Sequence, residues 1–289
     1  MKTQIKHFLA VLTLLAAPAA GLADTIYLSV NNSTIEQFTS GGVGSFFANT
    51  GLATPTGLAF DSAGNLYVAN QGNGWIEKFT ADGVGSRFAN TGLNHPEGLA
   101  IDSGGNVYVA NAGNNTIEKY TPGGIGSVFA SIGLSTPQGL AIDSAGNVFA
   151  MNNGSDTIEK FTPDGVGSVF ASGFSVDPNT HNGLAFDSAG NLYASENSNI
   201  EKYTPDGVGS YVLGAGAAGV NGLAFDSAGN LYYVSGGSIQ ETTSSGQGVN
   251  TTFGHFSGSY IAIVPEPSTL ALLGLGAASL LARRRKAAK

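Results

Sequence analysis

The stretch from Gly57 to Asn70 reads Gly-Leu-Ala-Phe-Asp-Ser-Ala-Gly-Asn-Leu-Tyr-Val-Ala-Asn, and its pattern determines the fold. Large and small side chains alternate on both sides of Asp61–Gly64, which indicates two β-strands because successive strand residues point to opposite faces. Asp at the first and Gly at the fourth position of a turn are typical of type I. The stretch therefore predicts a β-hairpin with strands at Gly57–Asp61 and Asn65–Ala69.

This hairpin belongs to a repeat of about 41 residues that recurs from Gly98, Gly139, Gly183 and Gly222. After each hairpin comes a third strand with the pattern Ile-Glu-Lys-aromatic-Thr, as at Ile76–Thr80. A glycine-rich turn then leads to a fourth strand, as at Ser86–Ala89. Four strands repeated at this interval are typical of a propeller blade. We therefore expect an all-β propeller.

The number of strands predicts six blades and the way in which the ring closes. Third strands begin at Ile35, Ile76, Ile117, Ile158, Ile200 and, in degenerate form, Ile239. Only five Gly-Leu-Ala first strands exist, and the N-terminal blade begins directly with a second strand, Tyr27–Asn31. Because Tyr260–Val264 alternates like a first strand, we expect it to complete the N-terminal blade and to leave no long open sheet edge. The alternative is an open solenoid of blades with uncovered ends.

The composition agrees with many tight turns and excludes several classes of site. The 289 residues include 43 Gly, and only 11% are charged. The absence of Cys excludes disulfides, cysteine nucleophiles and zinc–thiolate centres. Residues 24–264 hold five Lys and Arg against 19 Asp and Glu, a net charge of −14. Nucleic acid and anionic lipid are therefore unfavourable partners, because phosphate binding needs a basic surface.

The N-terminal end has the pattern of a secretory signal peptide. Lys2 and Lys6 precede the apolar run Phe8–Ala17, and small residues follow up to Ala23. This order predicts a signal peptide over residues 1–23, with cleavage after Ala23 or after Ala20. The alternative is a buried N-terminal helix.

The C-terminal end combines Pro265-Glu266-Pro267, an apolar run over residues 269–282, and the basic cluster Arg283, Arg284 and Arg285. The run is short for a stable membrane span, which needs about 20 residues. Residues 265–289 resemble the PEP-CTERM sorting signal of Gram-negative bacteria. The resemblance implies export through the inner membrane, transient association of the apolar tail helix with that membrane, and processing by an exosortase-type enzyme. It also implies delivery to the cell surface or matrix, often with exopolysaccharide and biofilm production. The alternative is a simple C-terminal anchor.

The repeat over residues 24–264 resembles the NHL repeat. Its pattern is Pro-x-Gly-Leu-Ala-x-Asp-x-x-Gly-Asn-hydrophobic-Tyr-Val-Ala-Asn, and Pro55, Pro96 and Pro137 occupy the leading position. The later blades lack that proline. The resemblance implies a propeller, whereas it leaves the function open because NHL propellers include protein-binding modules and their relatives include enzymes.

Two rings of polar residues are predicted at the mouth of the central channel, because first strands start and second strands end on the same face. The residues before the five Gly-Leu-Ala motifs, with Ser259 before the closing strand, form the first-strand ring of Thr56, Glu97, Gln138, Asn182, Asn221 and Ser259. The last residues of the second strands form the second-strand ring of Asn31, Asn70, Asn111, Asn152, Glu196 and Ser235. The alternative interpretation is that the Asn side chains cap turns and strand ends.

Asn182-Gly183-Leu184 and Asn221-Gly222-Leu223 resemble a metal-ligand step of gluconolactonase- and regucalcin-like propellers. The resemblance implies Asn182 and Asn221 as ligands of Ca²⁺ or another divalent cation, with charge supplied by Glu97 or Glu196. The two rings contain only these two carboxylates, a departure from that family, so the sequence does not require a cofactor.

Two histidines, His95 and His181, each precede a first strand on the mouth face. His181 with Glu196 is the candidate acid–base pair, and the chain broadly resembles virginiamycin B lyase, which uses a His and Glu pair. The alternative is a loop histidine without a catalytic role.

Near-identical blades suit a repeated binding surface better than one asymmetric catalytic centre. We therefore expect an exported, non-catalytic binding or scaffold propeller whose mouth face binds polysaccharide or a surface protein. The alternative is a metal-dependent lactonase- or lyase-like enzyme with the cation at the channel mouth.

Overall fold

A computed structural model describes residues 24–30, 33–173, 182–214, 219–243, 251–253 and 258–264. They belong to a compact unit that spans Asp24–Pro265. The predicted signal peptide and the sorting residues, namely Pro265, Glu266, Pro267, Arg283, Arg284 and Arg285, lie outside the described residues. Within these ranges the chain forms strands and no helices, so none is present that could cross a membrane.

The described residues form 24 strands in six antiparallel sheets of four, which are the blades of a β-propeller. In chain order, the first twelve strands are β1 Thr25–Val30, β2 Thr34–Phe38, β3 Gly44–Ala48, β4 Pro55–Phe60, β5 Leu66–Asn70, β6 Trp75–Phe79, β7 Gly85–Ala89, β8 Pro96–Ile101, β9 Val107–Asn111, β10 Thr116–Tyr120, β11 Gly126–Ala130 and β12 Pro137–Ile142.

The remaining strands continue the same succession. They are β13 Val148–Asn152, β14 Thr157–Phe161, β15 Gly167–Ser172, β16 Leu184–Phe186, β17 Leu192–Glu196, β18 Asn199–Tyr203, β19 Gly209–Gly214, β20 Val220–Phe225, β21 Asn230–Ser235, β22 Ser238–Thr243, β23 Thr251–Phe253 and β24 Gly258–Val264. Blades 2 to 6 each use four consecutive strands, from β4–β7 to β20–β23.

Blade 1 joins the two ends of the propeller, as the sequence predicts. Its order is β24-β1-β2-β3, so the C-terminal strand is the innermost one. Ile263 pairs with Ile26 and Ile261 pairs with Leu28. The inner strands of neighbouring blades contact one another all round the ring. The closed six-bladed propeller is therefore confirmed, and the open solenoid is excluded.

The predicted hairpin turns are present, and Asp61 shows how they are held. Its backbone carbonyl accepts from the Gly64 nitrogen over 3.0 Å, which closes a tight turn. Its Oδ1 accepts from the Ala63 and Asn65 nitrogens, and its Oδ2 accepts from Asn65 Nδ2. Gly64 has a φ of 79°, a left-handed conformation that glycine adopts at little cost.

The core consists of layers between blades rather than one central cluster. In the layer between blades 2 and 3, the Phe88 ring lies 4.9 Å from the Tyr67 ring and 6.2 Å from the Tyr120 ring of the next blade, both edge-on. Leu99 and Val107 are buried in the same layer. Each blade therefore depends on its neighbours to bury its faces, as repeat folds do.

Glycine backbones close the centre of the ring. A Cβ atom on Gly57 would lie 2.2 Å from the Glu97 carbonyl oxygen, and one on Gly98 would lie 2.1 Å from that of Gln138. No side chain fits at such distances. The remaining cavity of about 50 Å³ has room for only a few waters. Larger ligands would therefore have to bind at the mouth of the channel.

Candidate functional site at the channel mouth

The first-strand ring lies where the inner strands of neighbouring blades meet. Four of its members are buried and the fifth is partly exposed, in the order Thr56, Glu97, Gln138, Asn182 and Asn221. The Thr56 hydroxyl donates to the Pro96 carbonyl over 3.0 Å, and Gln138 Oε1 accepts from the Asn182 nitrogen over 3.2 Å. Of Ser259 only the backbone is described, as part of β24. These polar side chains link adjacent blades.

Glu97 joins three blades through the hydrogen bonds that its carboxylate accepts. Gln71 of blade 2 donates to its Oε1, and the hydroxyl of Tyr260 on β24 donates to its Oε2 over 3.3 Å. Burial raises the pKa of Glu97 to about 7, although both hydrogen bonds act in the opposite direction. Burial and then the charge of Glu97 raise the pKa of Tyr260 well above its usual range. A carboxyl that titrates near neutral pH thus lies between three blades.

A second link joins blades 4 and 5 through two amides. Asn182 Nδ2 donates to Asn153 Oδ1 over 2.7 Å. The Nδ2 of Asn153 is buried and has no hydrogen-bond partner in the part of the chain that the structure describes. An unmatched buried donor costs about 1–3 kcal/mol, so such an atom usually marks a bound water or ligand oxygen.

Sequence reasoning missed Gln71 and Asn153. Each comes directly after the last residue of a second strand and reaches the first-strand ring residue of the following blade. The only available signal was a polar residue at this next position in blades 1, 2, 4 and 5, and Ala112 and Gly236 interrupt the pattern in blades 3 and 6. The link from Tyr260 to Glu97 has no local signal, because 163 residues separate them.

Three members of the second-strand ring are buried beneath the loops that enter their blades. Asn111 Oδ1 accepts from the Asn94 nitrogen over 3.2 Å, and its Nδ2 donates to the Gly92 carbonyl over 2.9 Å. Asn70 and Asn152 make the equivalent contacts. These bonds favour the capping interpretation for the three residues. Ser235 is also buried, and Asn31 lies outside the described residues.

Glu196 takes the place of asparagine in blade 5. It is buried, and the Tyr203 hydroxyl lies 3.4 Å from its Oε1 and 2.6 Å from Glu201 Oε2. Burial, together with the neighbouring Glu201 carboxylate, raises the pKa of Glu196 well above its usual range. The contacts of Glu196 are therefore with the next strand of its own blade.

The donor set proposed for a divalent cation does not come together in the described contacts. Both oxygens of Glu97 accept hydrogen bonds, Asn182 is bonded to Asn153, and Glu196 contacts Tyr203. Across the described ranges, no three His, Asp or Glu side chains form a group that could hold a metal ion. A cation held by Asn182, Asn221, Glu97 and Glu196 stays a prediction that these contacts do not favour.

Of the two histidines predicted at the mouth, the structure describes only His95. His95 is exposed on the loop before β8, and its Nδ1 lies 2.9 Å from Asn94 Oδ1. Thr54 and Thr136 occupy the same position in blades 2 and 4, are also exposed, and share its left-handed backbone. His181 lies outside the described residues, so its pairing with Glu196 stays a prediction.

Comparison with known families supports the resemblances to the NHL repeat and to the PEP-CTERM sorting signal. An NHL-repeat model matches residues 93–120, and a PEP-CTERM protein-sorting motif matches residues 264–286. The chain carries an NHL repeat and a PEP-CTERM sorting motif. For this NHL-repeat propeller, the sorting motif implies export through the inner membrane of a Gram-negative bacterium and processing by an exosortase-type enzyme. No curated protein matches the chain significantly.

Solved structures resemble this NHL-repeat propeller at low identity. A chain of a nidogen/laminin complex has a TM-score of 0.72 at 20% identity, over 83% of this chain and 98% of that chain. A gluconolactonase from Xanthomonas campestris has a TM-score of 0.63 at 19% identity, over 72% and 77%. A virginiamycin B lyase from Staphylococcus aureus has a TM-score of 0.56 at 20% identity, over 74% and 70%. At these identities the likeness shows the fold alone.

Proposed function

We propose that this exported NHL-repeat propeller is a non-catalytic binding or scaffold protein of the cell surface or exopolysaccharide matrix, and that it binds glycan or protein at the channel mouth. Exposed loop positions at the mouth carry this proposal, and a largely buried inter-blade network makes the mouth rigid. The network consists of Thr56, Gln71, Gln138, Asn153 and Asn182. Its amides and hydroxyl are held in place by contacts between blades. A mouth held rigid in this way loses little conformational entropy when a ligand binds to it.

The shape of the mouth supports a ligand that lies across it. The glycine closure leaves only about 50 Å³ at the centre. Around this floor, Thr54, His95 and Thr136 are exposed at equivalent positions of three consecutive blades. The same contact is thus offered repeatedly, which suits an extended or repeating partner more than a small substrate.

Binding of the full chain to the host's own exopolysaccharide and to a glycan array tests this proposal. We expect the combined change Thr54→Ala, His95→Ala and Thr136→Ala to weaken binding by about tenfold, because it removes three contacts at the lip of the mouth. The matched control is Ser62→Ala, Ser103→Ala and Ser144→Ala on the opposite face, which leaves binding unchanged. If the wild-type chain binds no glycan and no surface protein of its host, the proposal is wrong.

A lactonase- or lyase-like enzyme is the second candidate, and Glu97 favours it. A buried carboxyl with a pKa of about 7 beside the Tyr260 hydroxyl is suited to general acid–base work at neutral pH. Turnover of simple lactones and of a cyclic peptide lactone by the full chain tests this candidate. Glu97→Gln is then expected to reduce kcat/KM by about 100-fold, and a wild-type chain without turnover on either substrate would exclude these reactions.

The divalent cation is tested separately. If Ca²⁺ binds at the predicted residues, it raises the melting temperature of the wild-type chain but not that of the Asn182→Ala, Asn221→Ala variant. Metal analysis of the purified protein complements this titration. An equal response of both chains would place any bound Ca²⁺ elsewhere.

A further inference from the structure

The outer edges of the blades form a surface that the proposed function does not use. The outermost strands of blades 1 to 5, which are β3, β7, β11, β15 and β19, each pair with another described strand on their inner side only. In β11 the exposed segment Gly126–Val128 is in regular register with β10, and the bulge follows it. The outer side of such a strand presents backbone N–H and C=O groups to which another strand can pair.

Apolar side chains accompany these edges. Phe46 on β3, Val128 on β11 and Val169 on β15 are each 60% exposed, and Tyr211 on β19 is 72% exposed. In each case a further exposed Val or Ile lies three residues earlier, as Ile125 does in blade 3. Proteins usually protect an edge of this kind with a charged residue or a proline, and these four strands contain neither.

Blade 2 differs from the others. Arg87 occupies the position of Phe46 and Val128, and its guanidinium lies 3.3 Å from the centroid of the Trp75 ring. A charged residue at this position is the protection that the other edges lack. Blades 1 to 5 thus have one outer edge with a charged residue and four without, so their effects on association can be compared.

Charge distinguishes the open edges from one another. Residues 24–264 carry a net charge of −14, so two copies repel each other over most of their surface. Asp82, Asp164 and Asp206 lie in the turns that lead to β7, β15 and β19. Among the five blades whose outer-strand side chains are described, only blades 1 and 3 have a turn without a charged residue, so among these five their edges are where two copies approach with the least repulsion.

We propose that the outer edges of blades 1 and 3 pair with the same edges of a second copy of this chain, so that propellers associate side by side. Antiparallel pairing of identical strands obeys two-fold symmetry, so each edge is complementary to itself. A five-residue strand buries far less than the roughly 1,200–2,000 Å² of a stable interface, so one contact is weak. Two such edges on one molecule allow a chain of copies that lengthens with concentration.

Sedimentation velocity of the full chain from micromolar to millimolar concentration tests this proposal. We expect the sedimentation coefficient of the wild type to increase with concentration. Because lysines on paired edges repel each other, Phe46→Lys with Val128→Lys is expected to weaken self-association by about tenfold. Conversely, Arg87→Val with Asp82→Gly should strengthen it, because the two changes remove the charges from the edge and turn of blade 2 and leave the net charge at −14.

The matched control is Ile132→Lys with Thr91→Lys, which adds the same two charges at exposed positions in the loops after β11 and β7. All variants retain the same ends, so association through the apolar tail would be equal in all of them. A wild type that stays monomeric at every concentration overturns the proposal, as does an equal effect of this control and of Phe46→Lys with Val128→Lys. Circular dichroism melts show whether each variant is folded, and Arg87→Val with Asp82→Gly remains informative if Phe46→Lys with Val128→Lys is not.

Discussion

Glu97 connects three blades, and its protonation is linked to the stability of the ring. Gln71 and Tyr260 both donate to its carboxylate, and burial raises its pKa from 4.5 to about 7. The folded protein therefore holds this proton more tightly than the unfolded chain does. The stability contributed by this group is fully present below about pH 4.5 and is lost as the pH rises to about 7. The size of the effect is on the order of 3 kcal/mol.

A pH series of thermal melts tests this linkage. Between pH 5 and 8 the melting temperature of the wild type is expected to fall, whereas in Glu97→Gln it falls less because the substituted side chain does not ionise. A residual slope remains from Glu196, whose pKa is also raised. Asp164→Asn, an exposed acid, serves as the control. Equal slopes for the wild type and Glu97→Gln would contradict the linkage.

The glycine closure predicts a steric effect at a single residue. In Gly98→Ala the new Cβ atom would lie 2.1 Å from the Gln138 carbonyl oxygen and 3.0 Å from the Leu140 nitrogen, so blades 3 and 4 must move apart. We expect a loss of about 1–3 kcal/mol in the free energy of unfolding, measured by denaturant titration. Gly123→Ala is the control, because its nearest neighbour would lie 3.9 Å away. If both variants are equally stable, the inner strands are less tightly packed than described.

Among the elements, β24 has the greatest effect on the architecture. It supplies the inner strand of blade 1, places Tyr260 beside Glu97, and buries Ile261 against Leu28 and Tyr232. Because the chain has no Cys, no disulfide can hold the ring closed, and the pairing of this strand with β1 does so instead. The alternation of Tyr260–Val264 was enough to predict this pairing, because an unpaired second strand at one end requires a first strand from the other.

Truncation of one side chain on β24 tests how much the closing strand contributes. Ile261→Ala is expected to lower the free energy of unfolding by about 2–5 kcal/mol, because it leaves a cavity between blades 6 and 1. Ile132→Ala makes the same change at an exposed position and should cost less than about 0.5 kcal/mol. Denaturant unfolding of the two variants measures the difference. A small loss in Ile261→Ala would mean that blade 1 is held mainly by its other strands.

At the scale of the whole molecule, charge divides the chain into three parts. Two basic ends flank residues 24–264, whose net charge is −14. The C-terminal end carries the PEP-CTERM motif over residues 264–286. The overall charge of −8 therefore combines an acidic propeller with the basic ends of the chain.

Processing of the sorting motif gives a prediction for the whole protein. Mass spectrometry of protein recovered outside the inner membrane is expected to show loss of the basic C-terminal end. Pro265→Ala with Pro267→Ala should leave the tail uncut and the protein in the membrane fraction, because the processing enzyme recognises this motif. Pro163→Ala, in a turn of blade 4, is the control and should be processed normally. An uncut tail on the exported wild-type protein would contradict this prediction.

The sequence alone determined the hairpins, the six blades, the closing strand and the sorting motif. These features depend on short-range rules, namely the turn chemistry of Asp61–Gly64 and the alternation of side chains along a strand. Only the tertiary structure showed that Asn111 lies beneath a loop and that Glu97 is bonded to Gln71 and Tyr260. The physical reason is that these contacts join different blades or a blade and its entering loop. They arise where the inner strands converge on the axis, and the spacing there depends on the packing of all six blades.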